Sequence, residues 1–217
     1  AAAQLDFYAE HYEQWPVQTS KSKSRLMHQS LDDAVMLTRL VRAASALEGF
    51  AAVDRQKQWY GKLFRPMALL LDETFQRVHN IACWQRSAMA LAALYGKDEE
   101  LWKRAVDGPF GIRAQMRDGV TSDWLWLEQS LLYNSYVVSA LLPLFEEASL
   151  AGRGAELRHE MAVAENLMLG PSVLRFVTGK LPTPADSTAG FRTWPELGIL
   201  AAARRVMESQ KSKIEKN

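Results

Sequence analysis

The sequence predicts an all-α fold. Hydrophobic residues recur every three to four positions along most of its length, and no segment shows convincing strand-like alternation. Glycine and proline are sparse, 12 and 8 among 217 residues, too few for a many-turned β protein. Leu5 to Trp15 reads as a short amphipathic helix ended by Pro16. Val17 to Arg25 is a polar loop, locally basic through Lys21, Lys23 and Arg25. Ser30 then caps a helix with Asp32 and Asp33 in its first turn. Leu37, Leu40, Ala44 and Leu47 stripe one face of that helix until Gly49. Asp54 caps a third helix through Trp59, Leu63 and Met67, with Pro66 as its kink.

From Met67 to Tyr95 neither glycine nor proline interrupts the chain. One helix there would run about 43 Å at 1.5 Å per residue, so a break is placed at Val78-His79-Asn80 with Asn80 as the cap. Ala82 to Tyr95 follows, ended by Gly96. Asp98 to Val106 and Gly111 to Arg117 are shorter helices, and Val120 to Trp124 is loop. Trp126 to Ala151 is expected as the longest helix, followed by Ala155 to Leu169 up to Gly170-Pro171. Ser172 to Val177 is a short piece and Thr178 to Thr193 a loop. Thr193 caps a last helix with Pro195 in its first turn, before a charged tail from Lys211 to Asn217. No clean repeat appears, yet paired helices of this kind either stack as a solenoid or close into a ring.

Composition narrows the function. Charges nearly cancel, 26 Lys and Arg against 25 Asp and Glu, which disfavours a basic nucleic-acid binder. Disorder is excluded by 48% hydrophobic content with seven Trp and eight Phe. One cysteine, Cys83, excludes an internal disulfide framework and a cysteine-rich zinc site. No apolar run reaches the roughly 18–20 residues of a membrane span, and no secretory leader is apparent. The four histidines at 11, 28, 79 and 159 lack metal-ligand spacing. No phosphate-cradling glycine loop and no nucleophile elbow is present.

Two constellations remain. Trp126, Ser130 and Tyr133 fall at i, i+4 and i+7, one face of a helix, with Asn134 and Tyr136 beside them. Such a face is either core with edge tyrosines or a groove wall for stacking on sugars and moving protons. His79-Asn80 at a helix start is either a cap with a surface imidazole or a base beside a carboxylate-binding amide, with Gln76 and Gln85 as neighbouring donors. Asp123 and Glu128 are the first acids to consider as a glycosidase pair.

The stretch from His79 to Ala148 resembles the helical domain of heparinase II/III-like polysaccharide lyases, a group that includes oligoalginate lyases. The resemblance rests on ordered elements: His79-Asn80, Trp84-Gln85, Leu94 to Glu100, Gly108 to Ile112, Gln115, Gly119-Val120, Asp123 to Ser130, Tyr133 to Tyr136, and Ser139 to Leu141. Arg25 with Gln29-Ser30-Leu31 resembles an earlier family element, and Leu181-Pro182 through Asp186-Ser187 a later one.

The resemblance implies an incomplete α/α toroid of paired antiparallel helices that cleaves uronate-containing polysaccharide or oligosaccharide by β-elimination. Tyr133 lies 54 residues after His79, in the family's register. His79, Asn80 and Tyr133 are thus the expected catalytic residues. Gln29, Trp84, Gln85, Trp126, Glu128 and Tyr136 are the expected substrate contacts. The family often carries histidine where this chain has Asn134, a change expected at a subsite. Its second catalytic histidine and a metal usually come from a C-terminal β-sandwich. The chain is therefore expected to be the N-terminal part of a longer protein, with no cofactor of its own and a β domain or second chain as partner. A polymer substrate implies a periplasmic or secreted protein, an oligosaccharide a cytoplasmic one. A glycoside hydrolase on a similar ring and a non-catalytic carbohydrate-binding scaffold are the competing readings.

Overall fold

A computed structural model describes residues 1–187. Nine α-helices appear among the described residues, with no β-strand, so the all-α expectation holds. They are α1 (Ala2–His11), α2 (Ser30–Ser45), α3 (Val53–Trp59), α4 (Arg65–Asp72), α5 (Asn80–Gly96), α6 (Glu99–Asp107), α7 (Ile112–Gly119), α8 (Leu131–Leu150) and α9 (Arg158–Leu169). The helix expected after Thr193 and the charged tail lie outside the described residues.

α5 is the centre of the fold. It packs against α2, α4, α6, α7 and α8. Ala82, Ala88, Ala90, Ala92 and Ala93 are all buried, and their small side chains let neighbours approach from several sides. Such a helix is apolar nearly all round, and its few polar residues must find partners inside. Ser87 Oγ donates to the Ala140 carbonyl of α8 at 2.6 Å. Arg86, 1% exposed, donates to Asp72 Oδ1 at 2.7 Å, and Arg104 pairs with the same carboxylate. Cys83 is wholly buried, with its Sγ 3.7 Å from Gln115 Oε1, and burial pushes its thiol pKa well up.

Side-chain caps open two of the described helices, His79 on α5 and Asp98 on α6. Asp98 accepts the Leu101 N–H at 2.9 Å, as an N-cap aspartate does. Its other oxygen accepts Tyr60 Oη at 2.6 Å and Arg65 Nε at 3.1 Å. The predicted kink at Pro66 takes another form. The chain widens into a π turn over Tyr60–Phe64, and Pro66 falls in the first turn of α4, where its missing N–H is harmless. The break expected at Val78-His79-Asn80 begins earlier, because α4 ends at Asp72 and Phe75 takes a φ of 46°.

The largest correction concerns α8. It begins at Leu131 and not at Trp126. Trp124 and Gln129 adopt φ of 59° and 64°, left-handed conformations that no helix propagates. Residues 120–130 instead form a folded loop, closed by a bridge between Val120 and Trp126.

Candidate active site

A cavity of about 640 Å³ opens where the starts of α2, α5 and α8 meet the loop at Ala185-Asp186. Six of the residues expected from sequence line it: Gln29, His79, Asn80, Glu128, Tyr133 and Tyr136. Asp186 completes the wall.

His79 is the N-cap of α5. Its Nδ1 accepts the Ile81 N–H at 3.1 Å, so Nδ1 carries no proton. Burial lowers its pKa, the first of the opposing effects; Glu128 pulls it up and Arg77 pushes it down. The neutral imidazole therefore holds its proton on Nε2, which lies 3.4 Å from Glu128 Oε1. In this arrangement His79 is a donor. The backbone N–H of His79 is fixed by Gln115 Oε1 at 3.0 Å, and Gln115 Nε2 in turn donates to the Arg77 and Phe110 carbonyls.

Glu128 organises the turn. Its carboxylate accepts the Asn80 backbone N–H at 2.8 Å and Asn80 Nδ2 at 2.8 and 3.0 Å. Trp126 Nε1 donates to the same group at 2.6 Å. An anion at a helix N-terminus is favoured by the orphan N–H groups and the helix dipole. Glu128, expected at the substrate, lines the cavity, and its carboxylate also binds the imidazole–amide turn to the folded loop.

Tyr133 stands on the first turn of α8. Its phenol donates to Asp186 Oδ2 at 2.5 Å. That bond, then burial, then the charges of Asp186 and Glu128 push its pKa up to about 12. Tyr136 stands one turn on, its ring centroid 6.2 Å from that of Tyr133. Trp84 packs 5.2 Å behind Tyr136 and lies outside the cavity wall.

Four further residues singled out from the sequence sit outside the cavity wall. Trp126 is 0% exposed, so neither face is open to a sugar ring; its indole packs over Gly119. The i, i+4, i+7 spacing ran through a loop, so it defined no face. Gln85 is also fully buried and donates to Ser30 Oγ at 2.8 Å and Thr74 Oγ1 at 2.7 Å. It reaches the site only by fixing the start of α2 beside Gln29. Asn134 is buried rather than at a subsite. It accepts the Trp126 N–H at 2.9 Å and donates to the Trp124 and Leu167 carbonyls, each at 2.9 Å. Asp123 does not line the cavity.

Asp186 received no role from sequence. The Leu181-Pro182 to Asp186-Ser187 element was its only signal. Among the described residues, no group of three or more His, Cys, Asp and Glu side chains is placed to hold a metal ion. No described helix is long and apolar enough to cross a membrane.

No family model matches this chain. Two curated proteins are similar to part of it. An alginate lyase of Stenotrophomonas maltophilia is 26% identical over 132 residues, 57% of this chain and 18% of that protein. An exo-oligoalginate lyase of Saccharophagus degradans is 34% identical over 90 residues, 39% of this chain and 12% of that protein. Both are polysaccharide lyases by name. The chain spans less than a fifth of the length of either relative. The similarity is distant and partial, and it points to polysaccharide lyases at the level of the family.

Proposed function

We propose that this chain is the helical part of a polysaccharide lyase that cleaves uronate-containing polysaccharide or oligosaccharide by β-elimination. One observation carries the reading: a protonated phenol and a neutral imidazole–amide turn share the wall of one cavity. The alginate-lyase names of the two partial relatives support the substrate class.

The elimination needs three things. The proton on C5, next to the sugar carboxylate, must leave. The negative charge that builds on that carboxylate must be stabilised. The oxygen on C4 must be protonated as its bond breaks. His79 Nε2–H, a neutral donor on a rigid turn, suits the second task once it turns from Glu128, 3.4 Å away, to the sugar carboxylate; the Asn80 amide, bonded to Glu128, holds that turn in place. Tyr133, protonated at neutral pH, suits the third.

The electron pair of the C5–H bond becomes the C4–C5 double bond. The C4–O4 bond breaks, and O4 leaves with the Tyr133 proton. His79 has its Nδ1 lone pair engaged by Ile81. The C5 proton is therefore assigned to a base outside the described residues, the place of the family's second histidine.

The test uses the complete gene product with an oligouronate. Wild type should generate the ultraviolet absorbance of a 4,5-unsaturated sugar. Tyr133→Phe should lower kcat about 10²–10⁴-fold, the usual contribution of a general acid. Undiminished turnover in that variant would remove Tyr133 from the chemistry. Reducing ends without unsaturation would mean hydrolysis and would overturn the elimination.

A further inference from the structure

The short turn that carries Asp186 is latched to the helix that carries Tyr133. Ala185 takes a left-handed φ of 51°. Ser187 closes the turn, with Oγ donating to the Pro184 carbonyl at 2.6 Å and N–H to the Ala185 carbonyl at 2.8 Å. Ser130, the N-cap position of α8, donates its Oγ to the Asp186 carbonyl at 2.9 Å and lies 3.1 Å from Ser187 Oγ. The latch thus sits three residues before Tyr133 on the same helix end. The two side chains that meet are 53 residues apart in sequence, and their O···O distance of 2.5 Å is that of a charge-assisted bond.

We propose that Asp186 is a positioning residue for Tyr133: its carboxylate, held by the Ser130 latch, orients the phenol and keeps it protonated until its O–H turns from Asp186 to the departing oxygen. The reaction step rests on the lyase reading; the pairing of the two side chains does not. The surroundings act in the same direction. Glu128 lines the same cavity, Tyr136 stands one turn along α8, and His79 is neutral. Among the described residues, no lysine or arginine lines this cavity. A free Tyr133 phenolate would add a negative charge to a wall that already carries two carboxylates, so the phenol stays protonated until the departing alkoxide, a far stronger base, takes its proton. The phenol is held as an acid by both its partner and its setting.

Tyrosinate absorbance, titrated against pH in the complete protein, tests this. The Tyr133 signal is isolated by subtracting Tyr133→Phe from wild type, and likewise within an Asp186→Asn background. Asparagine keeps an acceptor oxygen and removes the charge. The expected result is an ionisation of Tyr133 at least about tenfold more favourable in Asp186→Asn. Ser130→Ala should shift it the same way by less, because the latch loosens while the carboxylate stays. A Tyr133 titration that is identical in wild type and both variants overturns the proposal, and Ser130→Ala decides the matter if Asp186→Asn does not fold.

Activity provides a separate arm. Asp186→Asn should lower kcat with little change in KM and move the alkaline limb of the rate profile to lower pH. Asp186→Glu should restore part of the rate. A shifted titration in a protein that releases no unsaturated sugar would leave the positioning role standing and remove the lyase reading. Unsaturated product with an unmoved titration would do the reverse.

Discussion

Removing the Glu128 carboxylate should unfasten the site and the loop together. Three donors converge on it, the Asn80 N–H, Asn80 Nδ2 and Trp126 Nε1, and His79 Nε2 approaches to 3.4 Å. Trp126 is 0% exposed and Asn80 4%, so neither regains full hydration when the acceptor goes. A buried donor left without a partner costs about 1–3 kcal/mol. The Glu128 side chain itself is 17% exposed, which lets water replace part of what is lost. Glu128→Ala should therefore cost about 2–4 kcal/mol. For a domain of this size that is a fall in Tm of about 5–12 °C. Glu128→Gln keeps one acceptor oxygen but turns an amide N–H₂ toward the donors, and should cost about half as much. The assay is thermal unfolding followed by circular dichroism, run as a double-mutant cycle with Trp126→Phe. The coupling between the two positions should be about 1–2 kcal/mol. Additive effects, or a Tm within a degree or so of wild type for Glu128→Ala, would refute the reasoning.

Three further outcomes follow from the same geometry. A Cβ on Gly119 would lie 2.4 Å from the Trp126 ring and 3.0 Å from Val78, so Gly119→Ala should cost about 1–3 kcal/mol by overpacking; an unchanged melt would show that the ring has room to move. Asn134→Ala strands the Trp126 N–H and two carbonyls, and should lower stability by about 2–4 kcal/mol, read by denaturant unfolding. His79 has a folded pKa below its unfolded value of 6.5, so between the two values the unfolded chain binds more protons. Its contribution is complete above the unfolded value and declines as pH falls toward the folded one, where protonation also breaks the cap on Ile81. His79→Asn, which retains a capping side chain, should be closer to wild type in stability at acid pH than at neutral pH; a gap that does not change with pH would contradict the assignment.

Features set by neighbours along the chain were legible in the sequence. Asp98 before α6 and His79-Asn80 at the start of α5 mark helix starts through chemistry within a few residues; Ser30 is instead the first residue of α2, behind Gln29, its Oγ accepting from Gln85, and the left-handed turn after α5 falls on Lys97 rather than Gly96. The cavity was legible in part: His79-Asn80 was expected at a helix start and opens α5, whereas Tyr133 came from its 54-residue spacing in the family resemblance and only the structure puts it in the first turn of α8. Trp126 was misplaced because its spacing to Ser130 and Tyr133 matches a helical face, while Trp124 and Gln129 turn left-handed without a glycine to announce it. Gln85 and Asn134 look like site polar groups in a string of letters; only packing shows that both are interior clasps. Asp186 was hidden for a different reason. Its partner is distant in sequence, and nothing in local propensity reports a pairing of that span.

The single thiol, enclosed at the heart of α5 and disfavoured as a thiolate, has a practical consequence. A cysteine-selective reagent cannot attack it until neighbouring helices separate. Each alkylated molecule thus records one passage through an opened state, and under conditions where reclosing outruns labelling, the rate counts how often the core comes apart. The protein carries its own clock for breathing, with no engineered probe required.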